Sequence, residues 1–498
     1  MINVAEMLVD AVQKCPDKLA VMDSNTSLTY RQLYSCAKDL SDSIKKHAYS
    51  IQKPILVLTS KSVWSIVSFW GVVLSGNFYV PVDENIPQER IKQYISLVNP
   101  VMVINASSKE KWQEVDAFNV CKKIKTYNSP PKYEKRIIDS DPLYVVFTSG
   151  STGVPKAVIK SHRSVIAFIE SFSAIFEINQ KDILGNRASF DFDVSAKDIF
   201  LSVYAKATMC IIPSICFLVP SLLAPFLIKN KVTTLIWSAA AVKHVARMNC
   251  FRDVTLETIS KVFFSGETMQ VASIKYWQEH CSSAMYVNMY APSEVTGNCL
   301  YHIVDKEDEQ EDNVPLSDTF PNVEVLICKN SKIVKDNEKG EIYIRGAFLA
   351  NGYYNNAKTT RRVFIQNPLC STHRDYVYKT GDMAIKRDGK IYFIGRKDNQ
   401  IKHLGHRIEL EEIEKNVFTA LGCSEGCALY DKSLEKIVLL LPRMEFKKSE
   451  LFIALKRCVP KYMIPDEIII IDKMPYNERG KIDRKKAFMM YMEKNTNE

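Results

Sequence analysis

The stretch Tyr144–Lys156, YVVFTSGSTGVPK, runs from four apolar residues straight into hydroxyls and glycines and closes on a lysine. A buried strand that hands over to a loop of small residues brings backbone N–H groups against phosphate. Thr148, Ser149, Ser151 and Thr152 add hydroxyl donors, and Gly150 and Gly153 permit close approach and positive φ. Lys156 supplies a mobile cation, and Pro155 stiffens the loop exit. The two glycines are three apart and the lysine follows Val-Pro. The Walker loop needs a wider glycine gap and an adjacent Gly-Lys-Ser/Thr, so it is excluded. The plain alternative is a flexible Ser/Gly linker, but linkers seldom follow a buried strand so directly.

On either side of this loop, apolar β-branched runs alternate with helical spacing. The runs are Ile55–Thr59, Val101–Ile104, Leu143–Phe147, Thr233–Trp237 and Lys261–Phe264, with helical patterns at Val63–Leu74 and Pro87–Val98. The alternation predicts an α/β fold with mostly parallel sheets. From about Pro321 short alternating strands take over (VEVLIC, GEIYIRG, RDGKIYFIGR), with a hairpin signal at Asp388-Gly389. A third texture follows Gly395: a charged helix at Glu409–Ala420 and strands at Ile437–Leu441 and Ile468–Ile471. The expected organisation is a large N-terminal α/β domain with a β-rich subdomain (1–397), a hinge near Asp398, and a small α+β domain (398–498).

The 498 residues exceed what one core serves. The net charge of +9 is spread along the chain without clustering, which favours acidic partners and gives no nucleic-acid footprint. The 13 cysteines are irregularly spaced, and Cys423 and Cys427 lack the further ligands of a zinc site, so reduced thiols in a cytoplasmic protein are expected. The N-terminus carries Glu6 and Asp10 within its apolar pattern and reads as an amphipathic helix, not a signal peptide. Met209–Ile228 is uncharged and long enough to raise a membrane span, but Pro213, Pro220 and Pro225 interrupt it. A strand, a loop and a helix start are expected there, with no membrane span.

With the loop in hand, the remaining motifs resemble the adenylate-forming ligase superfamily. Within it the likeness is to amino-acid adenylation domains of peptide synthetases and to free-standing D-alanine–carrier protein ligases. The motifs stand in the family's order: LTYRQL (Leu28–Leu33), SGNFYVPVD (Ser75–Asp83), the phosphate loop, SFDFDVS (Ser189–Ser195), NMYAPSE (Asn288–Glu294), GEIYIRG (Gly340–Gly346), YKTGD (Tyr378–Asp382), GRKDNQIKHLGHRIELEEIE (Gly395–Glu414) and NERGKIDR (Asn477–Arg484). The resemblance implies ATP and Mg²⁺ as cofactors and a carboxylate attacking the α-phosphate. That reaction brings two anions together, so it needs positive charge and fixed donors.

Carried over by resemblance, Lys481 is the lysine that enters the cleft, and Lys156 and Glu294 complete the catalytic set, Glu294 as the Mg²⁺ ligand. Asp382 suits the ribose hydroxyls, with Arg396 nearby. Tyr290 offers a ring for adenine and Asn288 an amide for its edge. Ala291, Ser293 and Tyr392 join the nucleotide set. The chain departs from the family at Ala291, where glycine is usual and a methyl is strained if φ is positive, and at Glu411, expected to be harmless at a helix start.

Asp193 decides the substrate class, because in amino-acid-activating members an aspartate here holds the α-ammonium. The plain alternative is a helix N-cap. The side-chain pocket carried over is Val194, Lys197, Trp237, Phe263, Ser265, Gly266, Met289, Gly297 and Asn298. Trp237 and Phe263 fill volume, and Lys197 either pairs an acidic side chain or turns outward. Serine, alanine of either hand, aspartate and glutamate stay open. The implied reaction forms aminoacyl-AMP and passes the acyl group to the phosphopantetheine thiol of a carrier protein supplied in trans. The alternatives are a carboxylic acid–coenzyme A ligase and a nucleotide binder without turnover.

Overall fold

A computed structural model of the chain describes every residue apart from 49, 110–116, 126–129, 151–152, 423–424, 444–446, 479–480 and 497–498. Ser151 and Thr152 of the phosphate loop, Cys423, and the Arg-Gly preceding Lys481 therefore lie outside the described residues.

The chain divides into two compact units. The first comprises Met1–Glu84, Leu97–Phe147 and Ala157–Lys397, the second Asn85–Ser96, Thr148–Lys156 and Asp398–Glu498. The boundary in the chain falls between Lys397 and Asp398, but residues 85–96 and the phosphate loop belong to the second unit. Hydrogen bonds described below attach the loop there.

The first unit is α/β. Among the described residues one sheet has seven strands and another nine. In the seven-stranded sheet, Pro54–Thr59 lies between Phe78–Asp83 and Met102–Asn105, parallel to both. Strand Pro142–Thr148, which ends at the phosphate loop, pairs parallel with Phe78–Asp83. In the nine-stranded sheet, Thr234–Ser238, Lys261–Ser265 and Met285–Tyr290 run parallel and adjacent. Helix Val63–Ser75 is buried at every residue, which explains why it is apolar all round with no polar stripe. The LTYRQL motif opens the helix Tyr30–His47 with a capping box: Thr29 accepts from Gln32 N–H at 3.3 Å, and the Gln32 side chain accepts from Thr29 N–H at 2.9 Å.

The β-rich part carries an antiparallel sheet in which Tyr376–Arg387 pairs with Lys339–Gly346 and Lys390–Arg396. Its hairpin turns at Asp388 and Gly389, at φ of 50° and 79°, as a type I′ turn demands. The uncharged stretch becomes strand Thr208–Ile211, short helical turns and helix Leu223–Lys229. Among the described residues no helix is long and apolar enough to cross a membrane.

The second unit has helix Leu410–Leu421, strands Cys427–Asp431 and Lys436–Pro442 antiparallel, and Glu467–Ile471 parallel to the latter. Glu411 sits in the first helical turn, where it pairs with Arg484 at 3.3 Å and accepts from Asn399 at 2.8 Å.

Candidate active site

In the first unit Tyr290, Asp382 and Arg396 come together where a parallel strand ends against the antiparallel sheet. Tyr290, the last residue of Met285–Tyr290, donates its hydroxyl to Asp382 Oδ2 at 2.5 Å, and Arg396 bonds Asp382 Oδ1. Strand register sets the second contact, since Asp382 and Arg396 face each other across the antiparallel pair. Asp382 is 2% exposed, so the guanidinium beside it offsets the cost of a buried carboxylate. Asn288 donates both amide hydrogens' worth of bonding to the Val314 and Pro315 carbonyls, at 3.0 and 2.9 Å. An amide so engaged presents oxygen, which matches an exocyclic amine. Tyr392 does not join this group; its hydroxyl reaches Glu311 at 3.4 Å, four residues along the strand from Arg396.

Glu294 is fully buried, and Tyr353 donates to its Oε1 at 2.5 Å. Mg²⁺ is bound through one or two carboxylates, with waters and substrate phosphates filling the rest, so one buried carboxylate meets its demand. Ser293 is half-buried beside it, and Ala291 does not adopt a positive φ, so its methyl carries no backbone strain. A separate group of possible ligands, the His302 imidazole with the Asp305 and Asp308 carboxylates, has the spacing of a metal site. Asp308 there already accepts from His302 at 2.7 Å, from the Asp305 backbone at 3.0 Å and from Lys390 at 3.2 Å, the pattern of a charge-balanced structural knot.

Asp193 is not a helix cap. Helix Ser195–Tyr204 has Val194 in the N-cap position without a side-chain cap, and the Asp193 carboxylate instead receives Tyr144 Oη at 2.8 Å and Lys160 Nζ at 3.2 Å. Lys160 is wholly buried, and neither it nor Tyr144 was singled out as a site residue by sequence. Lys197 turns inward: it is 4% exposed and donates to Asn298 Oδ1 at 2.6 Å. Gly297 precedes that asparagine at φ +68°, and a Cβ there would lie 2.4 Å from the Phe168 ring, so only glycine fits.

Register divides the expected pocket wall. Ile236, Phe263 and Val287 are paired across neighbouring strands, as are Ser238, Ser265 and Met289, and these six share one face. Trp237 is paired with Phe264, which is paired in turn with Asn288, and this row points to the opposite face. There it packs edge-on against Trp277 at 5.9 Å and donates to the Gly185 carbonyl at 2.8 Å. Trp237 is thus corrected from the pocket to the core behind it, and Ile236 takes its place on the face of Phe263. The two-residue period of a strand makes a one-position shift in assignment a change of face. Gly266 follows Ser265 at the strand end.

In the second unit the phosphate loop meets the strand His406–Glu409 and the helix after it. Ser149 Oγ donates to the Arg407 carbonyl at 2.8 Å and accepts from Glu409 N–H at 3.1 Å. Gly150 N–H donates to Glu412 Oε2 at 3.0 Å, and Lys156 Nζ lies 3.4 Å from Glu409 Oε1. A Cβ on Gly150 would stand 1.9 Å from the Val154 carbonyl oxygen, so the tight loop requires glycine. Gly153 has φ +75°. Among the described residues the buried Thr148 hydroxyl has no hydrogen-bond partner, an orphan of the kind a phosphate oxygen satisfies. Arg90 Nη2 pairs with Glu412 at 2.6 Å, both side chains nearly inaccessible. Asp398 opens this unit's C-terminal segment, and Lys481 is exposed in a turn where its N–H bonds Asn477 Oδ1 at 3.1 Å.

A family model described as AMP-binding enzyme matches residues 8–354. Among curated proteins, the chain is 28% identical to a D-alanine–D-alanyl carrier protein ligase of Bacillus licheniformis, over 97% of this chain and 98% of the relative. It is 27% identical to zwittermicin A synthase ZmaJ of Bacillus cereus, over 97% and 94%. Among solved structures it resembles a holo NRPS protein containing adenylation and PCP domains bound to a vinylsulfonamide inhibitor (TM-score 0.85, 23% identity, 98% of this chain and 84% of that one). It also resembles the Vibrio cholerae adenylation domain AlmE in complex with glycyl-adenosine-5'-phosphate (TM-score 0.81, 18% identity, 98% of both). The structural likenesses establish the adenylation-domain fold.

Proposed function

The chain belongs to the AMP-binding enzyme family, and from that premise we propose that it activates an amino acid as its aminoacyl adenylate and transfers the acyl group to the phosphopantetheine thiol of a carrier protein supplied in trans. The observation that carries this reading is the Tyr290–Asp382–Arg396 constellation, a buried carboxylate on an antiparallel strand held by one hydroxyl and one guanidinium. The end-to-end similarity to a carrier protein ligase supports the acceptor.

In this reading Asp382 accepts the two ribose hydroxyls and Arg396 fixes the carboxylate that does so. Tyr290 and Asn288 position adenine. The loop from Thr148 to Lys156 receives the phosphates through its N–H groups, the orphan Thr148 hydroxyl and the Lys156 ammonium. Glu294 holds Mg²⁺, which when bound offsets phosphate charge. The substrate carboxylate attacks the α-phosphorus, the bond to the β-phosphate oxygen breaks, and pyrophosphate leaves. Lys481 stabilises the charge on the attacking carboxylate. Rotation about Asp398 then exchanges Lys481 for the acceptor thiol. The thiol attacks the acyl carbon, gives up its proton, and AMP departs.

Amino-acid-dependent ATP–pyrophosphate exchange tests the reading. Exchange with wild type and its loss in Lys481→Ala are expected; unchanged exchange in the variant, or ATP binding with no exchange for any acid, would refute it.

A further inference from the structure

Residues 199–252 contain no aspartate or glutamate but six lysines or arginines, and within them 209–228 carry no charge at all. The uncharged part folds as strand Thr208–Ile211, the helical turns Ile215–Leu218 and Pro220–Leu222, and helix Leu223–Lys229. One side of these turns is anchored. Cys216, Leu223, Ala224 and Leu227 are buried in the core of the first unit, with Phe217 and Phe226 packed against it. The Arg187 guanidinium stands 5.0 Å from the Phe217 ring centroid, and His244 Nε2 lies 3.1 Å from the Phe217 carbonyl oxygen.

The other side is an aliphatic crest. Ile215, Leu218, Val219, Leu222 and Ile228 are exposed, from 39% at Val219 to 76% at Leu218. Pro220 opens the second turn, so Leu218 and Val219 stand at the bend between the two. Met248, one turn beyond His244 at the end of helix Ala239–Arg247, is exposed as well. Single apolar residues on a surface are ordinary, but a contiguous group of them marks a place of contact.

The charge beside the crest has one sign. Lys206 and Lys243 are taken up by Asp10 and Glu267, each at 2.7 Å, and Arg252 lies 3.8 Å from Asp253. Lys229 and Lys231 follow the crest directly, are exposed, and among the described residues have no ion-pair partner. Protein interfaces draw their binding energy chiefly from Trp, Tyr and Arg anchors, with Leu and Val under-represented, and the crest presents aliphatic side chains instead. Aliphatic side chains bordered by lysines match acyl chains beneath anionic headgroups.

We propose that residues 215–231 form a peripheral docking surface for an anionic lipid bilayer. Leu218, Val219 and Leu222 enter the interface, and Lys229 and Lys231 meet the lipid phosphates. The turns are too short to span a bilayer and lie in its surface. This goes beyond the adenylation reading and does not depend on it.

The test is co-sedimentation of the full chain with vesicles of phosphatidylcholine alone and of an equimolar mixture of phosphatidylcholine and phosphatidylglycerol. Each lysine at an anionic surface contributes about fivefold, so wild type is expected to bind the mixed vesicles about tenfold or more tightly than the neutral ones. Two double variants, Leu218→Asp with Leu222→Asp and Lys229→Gln with Lys231→Gln, are each expected to lower that binding by about tenfold or more. Hydrogen–deuterium exchange of wild type is expected to slow in peptides covering 215–231 when mixed vesicles are added. Equal binding to both vesicles, binding undiminished in either double variant, or protection that misses 215–231 would overturn the proposal. No binding to either vesicle would also overturn it and leave the crest to a protein. That protein is a second copy if wild type self-associates and Leu218→Asp with Leu222→Asp does not. The wild-type exchange map decides the matter even if a variant fails to fold.

Discussion

The backbone N–H of Gly150 donates to the carboxylate of Glu412 at 3.0 Å, so a donor of the phosphate loop is engaged by an anion of the protein itself. Glu409 does the same for Lys156 at 3.4 Å. Under the proposed function both are contacts that the triphosphate of ATP would replace.

Glu409→Gln is therefore expected to lower the KM for ATP. Burial pushes the Glu409 carboxyl up, with the Lys156 ammonium opposing, so its charge is already disfavoured and its removal costs the fold little. Weakening a hydrogen-bonded charge contact by about 0.5–1.5 kcal/mol corresponds to roughly a two- to tenfold change. Initial rates against ATP concentration check it; an unchanged or raised KM shows that the contact does not compete with nucleotide.

Tyr290→Phe removes the hydroxyl that Asp382 accepts at 2.5 Å. A buried charged acceptor deprived of one donor costs about 1–3 kcal/mol, so the KM for ATP should rise by roughly five- to a hundredfold. Thermal unfolding should fall with it, and addition of AMP should recover less of the melting temperature than in wild type. Equal AMP binding by the two proteins would remove Asp382 from the ribose site.

Ile236 and Trp237 are adjacent but occupy opposite faces of one strand. Ile236→Phe should raise the KM of the acid substrate and leave that of ATP alone. Trp237→Phe should leave both constants alone and lower stability by about 1–3 kcal/mol, because it opens space in the core and strips the Gly185 carbonyl of its donor. The reverse pattern in substrate kinetics would return Trp237 to the pocket.

His162 accepts from the Val4 N–H at 3.0 Å through Nδ1, and burial pulls its imidazole down to about 4. The folded protein binds this proton less readily than the unfolded chain, so stability is full above pH 6.5 and declines as pH falls toward 4. The span amounts to about 3 kcal/mol. Urea unfolding at pH 7 and pH 4.5 should show the loss, and His162→Gln should flatten that part of the profile. An undiminished slope in the variant would assign it to other groups.

The strands and helices that frame the fold were legible because their burial is periodic or continuous. Strand Pro54–Thr59 is buried at every position, and the run Ile55–Thr59 announces it. Asp388-Gly389 names its own turn through the φ values it must adopt. Trp237 was misread because large aromatic residues suit a pocket wall and a core equally, and only strand register separates the two faces. Lys160 was invisible for a different reason: a lysine near the end of the strand Lys156–Ser161 reads as solvent-facing until the partner, 33 residues onward, is seen beside it. Arg90 and Glu412 form a pair across an even longer span of chain, and no local pattern records such a meeting.

Strand Leu19–Met22 pairs in parallel with Thr208–Ile211, with Val21 opposite Met209. During synthesis at about 5–20 residues per second, the first of these strands leaves the ribosome roughly 10–40 s before the second. For that interval the opening strand and the wholly apolar helix Val63–Ser75 have no complete sheet to join. The order of translation thus leaves apolar surface of the early chain without its sheet partner until the middle third of the chain has been made.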